Sequence, residues 1–170
     1  MKNLLVSDKA IVREKKVKDQ LIPKGFGEKT ESDYVLDLIE AYFLMEKKKL
    51  NLEDREGKKI KEEELLKYAM KRDRKFYPKF LVYSDLRERG FVVKTGFKFG
   101  FDLRVYPRGK RPGQAHTYWA VAVVSQNDRM NFIEFSRMVR LSGNIKTILL
   151  IAVVDSENDI NYYEVKRLTP

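Results

Sequence analysis

Apolar residues come first in short strand-like runs and then at helical spacing; in the later part of the chain they form unbroken stretches. Leu4-Leu5-Val6 and Ala10-Ile11-Val12, separated by polar residues at Ser7-Asp8-Lys9, predict an N-terminal hairpin. A Gly/Pro/Lys-rich connection follows from Ile22 to Gly27. Thr30, Ser32 and Asp33 are helix N-cap residue types ahead of residues 34–50, whose apolar positions recur with helical spacing. Asp33 three positions after Thr30 comes close to a capping box, so a helix is expected to start there. Residues 51–59 are polar and read as a loop, and a second helix is predicted over about 62–75 on the stripe Leu65, Leu66, Tyr68 and Ala69.

The character changes around residues 75–78. A helix over about 77–89 is predicted to stop at Gly90, a C-cap glycine. Strand-like runs follow at FVVKTG, FGFDLRVY and HTYWAVAVVS, then an amphipathic helix over 130–141 stopped by Ser142-Gly143-Asn144. Two last strands, over 147–154 and 160–168, flank an acidic turn. Residues 118–124 and 148–154 are apolar on both faces, as interior strands of a covered sheet are. The expected architecture is an α+β N-terminal domain over residues 1–75 and an α/β domain with a mixed sheet over residues 76–170. No internal repeat or low-complexity tract interrupts it.

Composition narrows the function. The longest apolar runs fall far short of the roughly 20 residues that span a bilayer, and charges break the N-terminal segment before a signal-peptide core can form. A soluble, cytoplasmic protein is expected. With no cysteine, thiolate catalysis, disulfides and Cys-based zinc sites are excluded, and with one histidine any imidazole acid–base chemistry runs through His116. A formal charge of +10 points to phosphate-rich partners.

Three residues in the later half carry candidate chemistry. Tyr106 opens the loop YPRGKRPGQAH, stiffened at Pro107 and Pro112 and open to close approach at Gly109 and Gly113. Arg108, Lys110 and Arg111 make that loop suited to a phosphodiester backbone. His116 ends the loop, and Lys146 leads into the apolar stretch TILLIAVV. Taken singly, a strand-end tyrosine packs, an edge histidine is solvated and a strand-start lysine is surface charge, so residue type leaves all three undecided. The stretch LVYSDLRERGFVVKTGFKFGFDLRVYPRGKRPGQAHTYWAV is more specific. With Tyr106, then His116 ten residues on and Lys146 thirty beyond that, it resembles the catalytic domain of the archaeal tRNA-splicing endonucleases. LDLIEAYFLMEKKKL resembles that family's N-terminal domain, so the likeness covers the chain from about residue 30 onward.

The resemblance implies a restriction-endonuclease-like catalytic domain that cuts precursor tRNA at bulge–helix–bulge motifs with no cofactor or metal. The RNA's 2′-hydroxyl is the nucleophile, with Tyr106 as general base, His116 as general acid and Lys146 stabilising the phosphorane. The products are a 2′,3′-cyclic phosphate and a 5′-hydroxyl. Free phenol has a pKa near 10, so the base role calls for nearby cations, of which Arg104, Arg108, Lys110 and Arg111 are close in sequence. The family pins a bulge base between arginines, which nominates Arg167 and either Arg140 or Arg137. The turn Asp155-Ser156-Glu157-Asn158-Asp159 matches an acidic loop that docks on an opposing subunit, so Asp155, Glu157 and Asp159, with Tyr162 and Tyr163 on the terminal strand, are expected at a homotetramer interface. Two alternatives stand beside this reading. One is a metal-dependent nuclease using Glu164 and Lys166 with Asp102 or Asp155; the other is a non-catalytic RNA-binding structural subunit.

Overall fold

The computed structural model describes residues 2–96 and 100–170; Met1 and residues 97–99, within the VVKTGFKFG segment, lie outside the described residues. The chain forms two compact units, Met1–Phe80 and Leu81–Pro170.

In the first unit β1 (Leu4–Val6) and β2 (Lys9–Ile11) make the expected hairpin. They are followed by α1 (Lys15–Leu21), β3 (Glu28–Lys29), β4 (Tyr34–Asp37), α2 (Leu38–Glu46), β5 (Leu52–Glu53), β6 (Lys59–Ile60) and α3 (Glu62–Arg72). The sheet order is β3-β4-β2-β1-β5-β6, antiparallel except for the pairing of β1 with β5. α1 was not legible in the sequence because Leu21 is its only buried residue, so it has almost no apolar stripe.

Two expectations are corrected here. Residues 34–37 form a strand, and the helix begins only at Leu38. Pairing on both sides explains this, since Val35 faces Ile11 of β2 and Glu28 of β3. Thr30 and Asp33 close the β3–β4 turn on each other, with the Asp33 N–H donating to the Thr30 hydroxyl at 3.0 Å. The cap residue is Asp37, whose N–H donates to the Glu40 carboxylate at 3.1 Å; the other Glu40 oxygen accepts from the Gly27 N–H at 3.0 Å. Glu40 is therefore buried but well bonded. The segment over residues 51–59 is a small hairpin, β5–β6, whose turn is tied by one Asp54 oxygen accepting from the Glu56 and Lys58 N–H groups. Strands of two residues leave no readable period.

α4 (Phe76–Glu88) runs across the division between the units, and the second unit continues with β7 (Val92–Thr95), β8 (Leu103–Tyr106), β9 (Trp119–Ser125), α5 (Phe132–Asn144), β10 (Ile148–Val154) and β11 (Ile160–Val165). Its sheet has the order β11-β10-β9-β8-β7 and is mixed, with β9 and β10 parallel through the crossover α5 and every other pairing antiparallel. The two strands expected to be interior are interior, and Ala120, Val121, Ala122 and Val123 are all buried. Met138, Val139, Leu141 and Ile145 of the α5 segment pack with Ala120, Ala122, Leu149 and Phe101 on one face. On the other face the Tyr162 hydroxyl of β11 donates to Asp85 of α4 at 2.7 Å, and Arg89 holds the same oxygen at 2.9 Å. No helix among the described residues is long and apolar enough to cross a membrane.

Two helices of this unit end in the same way on different residues. After α4, the Gly90 N–H bonds the Arg87 carbonyl and the Phe91 N–H bonds the Leu86 carbonyl, a Schellman motif with Gly90 left-handed at φ 92°. After α5 the same pattern recurs, from the Lys146 N–H to Gly143 and from the Thr147 N–H to Ser142. The left-handed residue there is Lys146, at φ 56°. The expected stop at 142–144 is thus corrected: the helix continues through Gly143, where an added Cβ would meet nothing within 4 Å, and the reversal comes at Lys146. Its start is likewise at Phe132, capped by Asn131 accepting from the Glu134 N–H at 2.8 Å.

Two outcomes are expected. Burial, and then the bond to Asp85, push the Tyr162 phenol far above its ordinary pKa. The unfolded chain ionises this group near about pH 10 while the folded chain keeps its proton, so the tie's contribution is whole below that pH and is lost as pH rises beyond it. Tyr162→Phe should cost about 1–2 kcal/mol at neutral pH and flatten the alkaline fall. Denaturant unfolding read by the single tryptophan, Trp119 of the same unit, checks this; an unchanged alkaline limb would contradict it. Second, Lys146→Gly should be more stable than Lys146→Ala by about 1 kcal/mol, because only glycine takes φ 56° without strain. Equal unfolding midpoints would show that the turn carries no strain.

Candidate active site

Register brings the three nominated residues to one end of one sheet. Val105 of β8 pairs with Trp119 of β9, which pairs with Ile148 of β10. One step outward the Tyr118 N–H donates to the Val105 carbonyl at 2.8 Å, and the Ile148 N–H donates to the Tyr118 carbonyl at 3.1 Å. Tyr106 closes β8 at this end, His116 lies two residues before Tyr118, and Lys146 lies two residues before Ile148. Tyr106 and Lys146 are therefore about two strand spacings apart, roughly 10 Å between backbones, within reach of side chains of this length. The junction residue is Tyr118, which the sequence placed inside a strand; its backbone joins β8 to β10, and the residue is 45% exposed.

The three differ in environment. Tyr106 is 5% exposed and, by strand alternation, shares with Arg104 and Ala120 the face that α5 covers. His116 and Lys146 are exposed. Lys146 does not follow strand alternation, because its left-handed backbone sets its direction.

The basic candidates gather at the same end. β11 runs antiparallel to β10 with Val165 opposite Leu149, so its continuation brings Arg167 level with the start of β10. Arg137 and Arg140 lie exposed on the later part of α5, the helix that delivers Lys146. Arg108 and Lys110 are exposed in the loop after Tyr106, and Arg111 is half-buried there. Not every nominated cation faces the phenol. The Arg108 guanidinium sits 4.8 Å from the Phe91 ring centroid, and Phe91 meets Trp119 edge-on at 5.3 Å, on the opposite sheet face from Tyr106. Arg104 shares the Tyr106 face, and its Nε donates to the Thr95 carbonyl at 3.2 Å.

The acidic turn occupies the other end of the sheet. One Asp155 oxygen accepts from the Glu157 and Asp159 N–H groups, at 2.8 and 2.9 Å, while the side chains of Glu157 and Asp159 stand exposed. Of the two tyrosines on β11, Tyr162 is engaged with Asp85 inside the unit and Tyr163 is 57% exposed.

The carboxylates of the metal-nuclease alternative are not brought together. Glu164 pairs with Leu150, accepts from the Trp119 indole N–H at 2.8 Å and lies 3.7 Å from the Lys166 amine. Asp155 is five residues along β10 from Leu150, roughly 16 Å at strand rise. Asp102 precedes β8, three strands away and thus roughly 14 Å, and accepts from the Val123 N–H at 2.7 Å. Among the described residues no group of three or more His, Cys, Asp or Glu is placed to hold a metal ion.

Comparison with known proteins bears on both units. Residues 76–162 match the model of the tRNA intron endonuclease catalytic C-terminal domain, and residues 1–66 match that of the tRNA intron endonuclease N-terminal domain. The chain is 41% identical over 145 residues to a tRNA-splicing endonuclease of Methanothermobacter thermautotrophicus, covering 85% of this chain and 84% of that one. It is 38% identical over 163 residues to one of Thermococcus onnurineus, covering 95% and 93%. A third, from Thermococcus kodakarensis, is 39% identical over 142 residues, covering 83% and 82%. With both of its units matched and relatives aligned over most of its length, this chain belongs to the tRNA intron endonuclease family.

Proposed function

We propose that this protein cuts precursor tRNA at bulge–helix–bulge motifs by metal-independent transesterification, with Tyr106, His116 and Lys146 as its catalytic groups. The observation that carries the reading is the convergence of these three residues, distant in sequence, on one end of the sheet in a chain of this family. In the reaction Tyr106 accepts the proton of the 2′-hydroxyl, and the freed oxygen attacks the adjacent phosphorus. Lys146 stabilises the charge that builds on the phosphorane, and His116 protonates the departing 5′-oxygen. The cyclic phosphate and 5′-hydroxyl retain every atom of the RNA, so no water enters. Burial on the α5 side restricts the Tyr106 ring, which favours a fixed approach to the hydroxyl.

Arg140, Arg137 and Arg167 are the side chains we assign to an extruded bulge base, and Lys110 and Arg111, with Arg108 on the other sheet face, to the flanking phosphates. The mixed five-stranded sheet is compatible with a restriction-endonuclease-like fold. Self-association into a homotetramer, a dimer of dimers, is favoured by three exposed features. They are the carboxylates of Glu157 and Asp159, the edge strand β11 with Tyr163, and the apolar start of α5, where Phe132 is 88% and Ile133 77% exposed. Precursor tRNA places such an enzyme in the cytoplasm.

His116→Ala is the test, read in excess EDTA on a bulge–helix–bulge RNA. Cleavage should fall by at least about 100-fold while binding in a gel-shift assay is retained. Near-normal cleavage by the variant would overturn the assignment. Wild-type activity that appears only with magnesium would turn attention to Glu164.

A further inference from the structure

The first unit, which holds none of the residues assigned above, carries its own concentration of positive charge. Between residues 67 and 75 stand Lys67, Lys71, Arg72, Arg74 and Lys75, all exposed. The one carboxylate in that stretch is already engaged. Asp73 is held by the Lys79 amine at 2.7 Å and by the Lys75 N–H at 2.9 Å. Burial alone would raise its pKa, yet these bonds hold its carboxyl below the usual range, so it stays charged and paired. Part of the cluster has a local structural reason. α3 has Glu62, Glu63 and Glu64 in its first turn and Lys71 and Arg72 in its last, which complements the helix dipole. That reason does not reach Lys67 in the middle of the helix, nor Arg74 and Lys75 beyond its end.

The surface is also pre-ordered. The Arg72 guanidinium lies 3.6 Å from the Tyr68 ring centroid, and the Tyr68 hydroxyl is anchored on the Ser7 carbonyl at 2.6 Å. Lys67 and Lys71 are four residues apart on one helical face, about 6 Å along the axis, with the half-exposed Met70 beside them. The stretch holds no Asn, Gln, Ser or Thr, and the deep, narrow major groove of A-form RNA keeps Lys and Arg side chains on the phosphates rather than on base edges.

We propose that the outer face of α3 and the turn after it form a second RNA-binding surface, one that takes the sugar–phosphate backbone of the precursor tRNA outside the cleavage motif. This rests on the RNA-cleaving function proposed above and adds to it a contact with the body of the substrate, indifferent to sequence and strongly salt-dependent.

The test compares two RNAs, a whole intron-containing precursor tRNA and a minimal bulge–helix–bulge oligonucleotide, both made uncleavable by 2′-deoxyribose at the cut positions. Binding is measured by fluorescence anisotropy over a range of salt for the wild type, for Arg74→Gln, and for the combined Lys67→Gln, Lys71→Gln and Arg74→Gln variant. Each phosphate that a variant no longer neutralises should lower the slope of log K against log salt by about 0.7–0.9. The triple variant should therefore lose about 2–3 in slope on the precursor, and affinity should drop at least about tenfold at low salt. Affinity for the minimal RNA should stay within about twofold. Unchanged binding of the precursor, or equal weakening on both RNAs, would overturn the proposal. The single variant, outside the helix, should lose about one third as much slope, which guards against a folding defect in the triple. Wild-type protein that neither binds the uncleavable minimal RNA nor cuts its all-ribose counterpart would instead defeat the function proposed above.

Discussion

The second unit depends on the parallel pairing of β9 with β10. Seven register pairs, from Trp119↔Ile148 to Ser125↔Val154, run between two strands that are buried along most of their length. Parallel neighbours need a crossover, and α5 supplies it by lying across one face of the sheet with Met138, Val139 and Leu141 inward. Because β9 and β10 point the same way, their starts lie side by side. Because β8 and β11 run the other way, their ends arrive at that same edge. Tyr106, His116, Lys146 and Arg167, spread over some sixty residues of chain, thereby come to one end of the sheet through topology. The same constraint sends the β10–β11 turn, with Glu157 and Asp159, to the far end, apart from the cations that follow β8 and β11.

Lys146 takes a backbone conformation that its residue type does not prefer. Gly90 and Lys146 close α4 and α5 with the same hydrogen-bond pattern and the same left-handed backbone, yet only the first uses the residue that adopts this conformation without cost. A lysine at that position is worth about 1–2 kcal/mol of strain. Buried pairing on its C-terminal side and the helix on its N-terminal side hold it there. α2 ends in the same pattern on Lys48, left-handed at φ 58°, so a left-handed lysine is a helix stop that this chain uses twice.

Much of the fold could be read from residue pattern, and the reasons are specific. Continuous apolar runs at 118–124 and 148–154 can only be buried on both faces, so their interior place followed directly. Gly90 ended α4 because no other signal competed. Residues 34–37 misled, since Tyr34, Val35 and Leu36 continue the helical pattern of α2; only partners from β2 and β3, remote in sequence, decide for strand. The two-residue strands β5 and β6 and the barely amphipathic α1 lie below what periodicity detects. For the site, the identity of the trio came from its flanking segments, because a tyrosine, a histidine and a lysine carry no signal by type. The sequence did not reveal that Arg108 turns onto Phe91, or that Arg104 reaches the Thr95 carbonyl. Side-chain direction depends on strand pairing, and adjacency in sequence does not report it.

The central claim is that this end of the sheet cuts RNA with the substrate's own 2′-hydroxyl. Its most direct test is cleavage in excess EDTA of two bulge–helix–bulge RNAs that differ only in ribose or 2′-deoxyribose at the scissile nucleotide, with both product ends mapped. Cutting of the ribose RNA alone, to a 2′,3′-cyclic phosphate and a 5′-hydroxyl, is the predicted result. Equal cutting of the deoxy RNA, or ends bearing a 5′-phosphate, would contradict it.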